Sequence, residues 1–144
     1  MCAGLLIVST ACKKDEDPVT VMVDTSMPQG TFTVSHSGTF VDQNSAGSAG
    51  TASLGTDSLG SQFLQFSSDF TTNLATGTVT VYLSTSDTYT ADPGNGNPDL
   101  RIVGVTTTAG MQSFKLDPVA EAKFTHVILW CGSAGVPFGN APLN

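Results

Sequence analysis

The segment Thr76–Ser84 (TGTVTVYLS) alternates polar and apolar residues almost without a break, and this period of two most constrains the fold. Successive side chains of a strand point to opposite faces. Val79, Val81 and Leu83 therefore share one face, and Thr78, Thr80 and Tyr82 the other. The rhythm recurs in Thr31–Val41, where Phe32, Val34 and Phe40 are in phase, in a weaker Ala49–Leu54, and in Gln62–Phe66, Leu100–Thr107 and Met111–Leu116. Turn residues separate these runs, most densely in Ala91–Pro98, and Ala109-Gly110 predicts a hairpin between the last two. Phe124–Cys131 (FTHVILWC) is apolar on both faces, which places it in the middle of the core. Asp117-Pro118 followed by VAEAK carries the best helix-start signal, so at most one short helix is expected, near 118–123. The chain is expected to be all-β: an antiparallel β-sandwich of about six to eight short strands, with a partly closed β-barrel as the alternative.

Composition narrows the function classes. Five Lys and Arg stand against twelve Asp and Glu, a formal charge of -7. That balance argues against a nucleic-acid partner, because such binding depends on neutralising phosphates. No apolar run approaches the roughly 18–20 residues of a membrane span. The first residues read as an address instead. The short apolar run Ala3–Val8 leads through Ser9-Thr10-Ala11 to Cys12, and the mixed-charge Lys13-Lys14-Asp15-Glu16-Asp17-Pro18 follows. This arrangement resembles a lipobox, in which a signal peptidase cuts before the cysteine that then carries lipid. The expected organisation is a signal-peptide remnant at 1–11, a lipidated Cys12 with a flexible tether at 12–29, and one β domain at 30–144. The apolar run is short and lacks a basic flank, which places the precursor start upstream of Met1 or implies a trimmed start. The expected address is the bacterial cell envelope, with the lipid held in the outer membrane.

Cysteine arithmetic then isolates one thiol. The chain has three cysteines. Cleavage removes Cys2 and lipidation occupies Cys12, which leaves Cys131 alone in an exported protein. A leftover cysteine there points to an intermolecular bond or a functional thiol. Cys131 ends the most apolar run beside Gly132 and Gly135, a position expected to be reachable at the rim of the domain. An inert core cysteine is the competing reading. Strand parity sets His126 on the face opposite Cys131. His36 is in phase with Phe32, Val34 and Phe40, so it is expected to face the interior and to approach Cys131 if their strands are neighbours.

The ending Val127-Ile128-Leu129-Trp130-Cys131, followed by Val136-Pro137-Phe138-Gly139-Asn140-Ala141-Pro142-Leu143, resembles the signature ending of the DM-thirteen domain. Gly38-Thr39-Phe40, Gly50-Thr51-Ala52, Leu64-Gln65-Phe66 with Phe70, Val81-Tyr82-Leu83-Ser84 and Gly110–Leu116 resemble its earlier landmarks, so the likeness runs from about Gly38 to Leu143. The resemblance implies an electron-transfer domain in which Cys131 works as a naked thiol or as ligand to a prosthetic group such as haem. Cys131, His36 or Met111 would then be the axial ligands, and Trp130 would pack beside the thiol and limit its contact with solvent. Gly132 stands where many members carry a basic residue, which leaves the thiol without a local cation. An unidentified redox or surface protein would be the partner.

Other signatures are missing: no G-x-S-x-G, H-E-x-x-H or C-x-x-C occurs. Asp92, Asn95, Asn97 and Asp99 fail the spacing of a calcium loop and read as a solvated turn. Two functions remain in competition. One is a lipid-anchored redox module working through Cys131. The other is a non-catalytic surface sandwich that binds glycan or protein, with Cys131 an ordinary core residue.

Overall fold

The computed structural model describes residues 25–90 and 96–144. Cys2, Cys12 and the proposed leader and lipid-bearing tether up to residue 24 lie outside the described residues, as do Asp92 and Asn95.

Among the described residues the chain forms nine strands in two antiparallel sheets: β1 (Thr33–Thr39), β2 (Val41–Asp42), β3 (Thr51–Thr56), β4 (Gln62–Phe66), β5 (Val79–Ser84), β6 (Leu100–Thr106), β7 (Gln112–Leu116), β8 (His126–Cys131) and β9 (Val136–Pro142). One sheet has the order β1-β3-β4-β7 and the other β2-β9-β8-β5-β6. The architecture is the expected sandwich, not a closed barrel. Alternation does what the sequence demands of it. Val79, Val81 and Leu83 have no exposed surface, and they pack with Val127, Leu129, Phe66, Phe70 and Phe40 into one core between the sheets. Phe40, Phe66 and Phe70 meet one another with ring centroids 4.5–5.3 Å apart, in the tilted and edge-on geometries that aromatic quadrupoles favour.

Strand β8 lies between β9 and β5, pairing Ile128 with Asn140 on one side and with Tyr82 on the other. Val127, Ile128 and Leu129 are all fully buried, so the strand is apolar on both faces because both are covered. The sheets meet along one side. Ser37 and Asn144 exchange backbone hydrogen bonds there. Gly38 makes the approach possible, since a Cβ at that position would stand 1.7 Å from the carbonyl oxygen of Pro142.

The expected limit of at most one short helix near 118–123 holds, with no helix there, and three other expectations change. Asp117-Pro118 is a cis peptide, and the Ala120 amide donates to Gln62 Oε1 at 2.7 Å across the sheet instead of into a helical turn. The predicted hairpin around Ala109-Gly110 does not exist either, because β6 and β7 belong to different sheets. Alternation reports which face of a strand is apolar but not which neighbour it pairs with. Strand β9 was not anticipated, since Pro137, Gly139 and Pro142 argue against a strand. Its pairing on both sides with β8 and the two-residue β2 overrides that local preference. Finally, β1 shifts register between Val34 and His36. The bulge breaks the period of two that ran from Phe32 to Phe40, and Val34 and His36 are exposed while Phe40 is buried.

Candidate functional site

Cys131 sits at the C-terminal end of β8, opposite Val79 of β5 and Val136 of β9. Parity turns its side chain to the core face, in line with Val127 and Leu129. Beyond it the chain reverses through 132–135, and the Gly135 amide donates to the Cys131 carbonyl at 2.8 Å. A second turn lies alongside. Gly77 takes a left-handed φ of +69°, which glycine adopts at little cost. Its amide donates to the Leu74 carbonyl at 3.1 Å, and the turn delivers Thr76 and Thr78 to the start of β5. The Gly132 amide donates to the Thr78 carbonyl at 3.0 Å and locks the two turns together.

Three hydroxyls therefore surround the sulfur. The Cys131 thiol donates to Thr76 Oγ1 at 3.6 Å, and the hydroxyls of Ser133 and Thr78 lie 3.6 and 3.7 Å from Sγ. They are bonded to one another: Thr78 Oγ1 is 3.0 Å from Ser133 Oγ and 3.3 Å from Thr76 Oγ1, and it accepts the Ser133 amide at 3.1 Å. A hydroxyl proton rotates to suit its strongest acceptor, so an ionised sulfur draws these donors toward itself.

The electrostatics follow from that ring. Burial pushes the thiol pKa up, but the hydroxyls of Thr76 and Ser133, the Ala134 amide and the Thr78 hydroxyl together outweigh it and bring the group down to about 7. Hydrogen bonds to the charged form favour that form. The causes are all neutral donors and include no cation. Cys131 is fully buried, which corrects the expectation of a sulfur reachable at the rim. The cover is thin: Thr76 and the turn residues 132–135 are exposed, so the sulfur lies one side chain below solvent.

The other expected site residues are elsewhere. Trp130 does not pack beside the thiol. Parity turns it to the outer face of the five-stranded sheet, where it stacks on Tyr89 with centroids 3.8 Å apart and planes 15° from parallel. Tyr82 meets Tyr89 edge-on at 5.2 Å. Burial and a hydrogen bond with Tyr89 push the Tyr82 phenol up to about 12. His36 does not approach Cys131. It lies in the other sheet with Nδ1 3.3 Å from Ser35 Oγ, and it lines a groove of about 260 Å³ with Gln62, Glu121, Phe124 and Thr125. That groove is at the opposite end of β8, five residue steps or about 17 Å from Cys131 at the rise of a strand. Met111 is exposed in the 107–111 loop. Haem does not fit this arrangement. Iron ligation requires a sulfur that faces an open apolar pocket, whereas this one has no exposed surface and is ringed by hydroxyls. No cluster of three metal-ligating side chains occurs among the described residues.

Sequence reading overlooked Thr76, Thr78, Ser133 and Tyr89. Only Ser133, two residues after Cys131, left any signal. The others reach the site through strand pairing and turn geometry.

The fold and site define a two-sheet sandwich that carries one buried, acidified thiol at the end of its central strand. A family model described as electron transfer DM13 matches residues 39–143, and the chain belongs to that family. Membership makes it a redox-related, electron-transfer module. No curated protein and no solved structure matches the chain.

Proposed function

We propose that the chain is a one-electron redox module of the bacterial cell surface, held in the outer membrane by lipid at Cys12, whose working group is the Cys131 thiolate. The observation that carries this reading is a sulfur with no exposed surface ringed by three hydroxyls, which together with an amide stabilise its charge and lower its pKa. Burial keeps a second molecule from bonding to the sulfur, which disfavours thiol–disulfide exchange, a reaction that needs direct attack. An electron can still leave. In the step, the Cys131 thiolate gives one electron to a one-electron acceptor on a partner protein and becomes a thiyl radical. The acceptor is reduced by one electron, no bond breaks and no proton moves. A returning electron restores the thiolate. Thr76, Thr78 and Ser133 hold the negative charge by hydrogen bonds and contribute no redox chemistry of their own. The lipobox-like Ser9–Cys12 and the mixed-charge run behind it support the envelope address.

The test is one-electron oxidation of the purified full chain by a flash-generated ruthenium(III) polypyridyl complex, freeze-quenched and read by electron paramagnetic resonance. A thiyl signal is expected in the wild type and none in Cys131→Ser. A wild type that yields no thiyl signal overturns the reading. The complete burial of Cys131 also favours a second reading, a glycan- or protein-binding sandwich with an inert cysteine. In that case Cys131→Ser leaves partner binding unchanged and no thiyl forms.

A further inference from the structure

We propose that Trp130 and Tyr89 form the route by which the electron leaves Cys131, carrying it from the buried sulfur to the outer face of the five-stranded sheet. The inference rests on the reading of Cys131 as the electron donor. It begins from a distribution. The chain has one Trp and two Tyr, the aromatic side chains most easily oxidised, and all three stand in a single contact cluster. Six of the eight Phe, which are far harder to oxidise, supply the rings of the core instead. The cluster starts at the residue peptide-bonded to Cys131. Thiol and indole are thus separated by one peptide unit and point to opposite faces of β8.

Geometry supports each step outward. The Trp130 and Tyr89 rings are nearly parallel with centroids 3.8 Å apart, so a positive charge on the indole is shared with, and stabilised by, the Tyr89 π face. Tyr89 lies in the loop that follows β5 and is half-exposed. Tyr82 touches it from β5 and holds it by a hydrogen bond, and burial together with that bond pushes the Tyr82 phenol up to about 12. The surrounding surface suits an acceptor. Ile102, paired with Tyr82, and Val105, paired with Thr80, are 63% and 51% exposed and extend the apolar face beside the rings.

The electron count closes with one external species, a one-electron acceptor docked on this face. The acceptor takes an electron from the Trp130 indole, which becomes a radical cation and keeps its N–H proton. The Cys131 thiolate fills that vacancy and becomes a thiyl radical. A tryptophan radical cation is a stronger oxidant than a thiyl radical, so the second hop runs downhill. In sum, one electron passes from sulfur to acceptor and no bond is made or broken.

The test uses the full chain and the same ruthenium(III) probe, with the tryptophan radical followed by transient absorption. In the wild type the radical should be short-lived, and in Cys131→Ser it should persist. Below about pH 7 its decay should slow roughly tenfold per pH unit, following the thiolate fraction, a signature that packing alone would not produce. Trp130→Phe should slow thiyl formation by more than an order of magnitude. Tyr89→Leu, at a loop position, should slow the initial oxidation and reads the same route should Trp130→Phe fold poorly. Tyr89→Phe keeps the stack and should retain the rate. Thiyl formation at the wild-type rate in both Trp130→Phe and Tyr89→Leu overturns the route and leaves the Cys131 reading intact. A wild type that forms no thiyl overturns the Cys131 reading itself.

Discussion

The two ends of β8 are built from the same strand and behave in opposite ways. At the His126 end, titratable groups stand in water: His36 and Glu121 line a groove, and the Lys123–Glu121 ion pair is 3.8 Å long and open to solvent. Exposed pairs of this kind contribute little. At the Cys131 end there is no ionised side chain among the sulfur's hydrogen-bond partners, only hydroxyls and an amide under a thin cover. The neutral end nevertheless lowers the pKa of its thiol, through oriented hydroxyls and an amide alone. Dipoles aimed at a charge under a cover of side chains are less screened than charges in open water.

Four substitutions distinguish the two ends of β8. The largest effect should come from Leu129→Ala in the middle of the strand. The side chain has no exposed surface, and truncation should cost about 2–5 kcal/mol. Chemical denaturation should record the loss, and both ends should lose order together.

Next comes Thr78→Val, which removes the hydroxyl that bridges Cys131, Ser133 and Thr76. The thiol pKa should rise, read from thiolate absorbance against pH. The wild type should also show the matching linkage. The native thiol titrates near 7, below its unfolded value of about 8.5, so between those limits the unfolded state binds more protons. Stability should therefore rise with pH across that window and fall away as pH drops through about 7. Cys131→Ser should abolish the slope, and a slope that survives in Cys131→Ser would assign it to another group.

A third test addresses the groove end. Asp57, in the β3–β4 turn, accepts the amides of Gln29, Leu59 and Ser61, each at 2.9 Å. The Gln29 bond is foremost in holding its carboxyl below the usual carboxylate range. Partial burial opposes it, while the Ser61 and Leu59 amides and the charge of Lys115 assist. The stability it contributes is present above the unfolded value and should be lost as pH falls below about 4. Asp57→Asn should flatten that acid limb in a thermal-melt series. The smallest effect belongs to His36→Ala. It should change stability by no more than about 0.5 kcal/mol and leave the thiol titration unmoved, because His36 lies in the other sheet, beside the end of β8 away from Cys131.

Much of the architecture was legible in the chain. Gln62–Phe66 is β4 to the residue, and the period of two in Thr76–Ser84 places Val79, Val81 and Leu83 inward. Such patterns are local, and a face is either apolar or it is not. Misreadings arose where a distant partner decided the outcome. Pairing with β8 makes a strand of proline-bearing Val136–Pro142, the separation of β6 and β7 into different sheets replaces the expected hairpin, and the bulge at Val34/His36 breaks the phase between Phe32 and Phe40. The site was half legible. Cys131 stood out by elimination and by its Trp-Cys ending, but Thr76 and Thr78 lie more than fifty residues away, with nothing in their neighbourhood to mark them.

The order of residues by itself determined that the chain would alternate into strands, bury a Phe-rich core and leave one cysteine at the end of its most apolar segment. Those outcomes follow from side-chain period and hydrophobicity, which act over a few neighbours. Only the tertiary structure decided that the cysteine is buried yet acidic, that three hydroxyls ring it and that Trp130 turns away to join the two tyrosines. Each depends on which turns and strands come to lie side by side, because hydrogen bonds and ring stacks act only over a few ångströms.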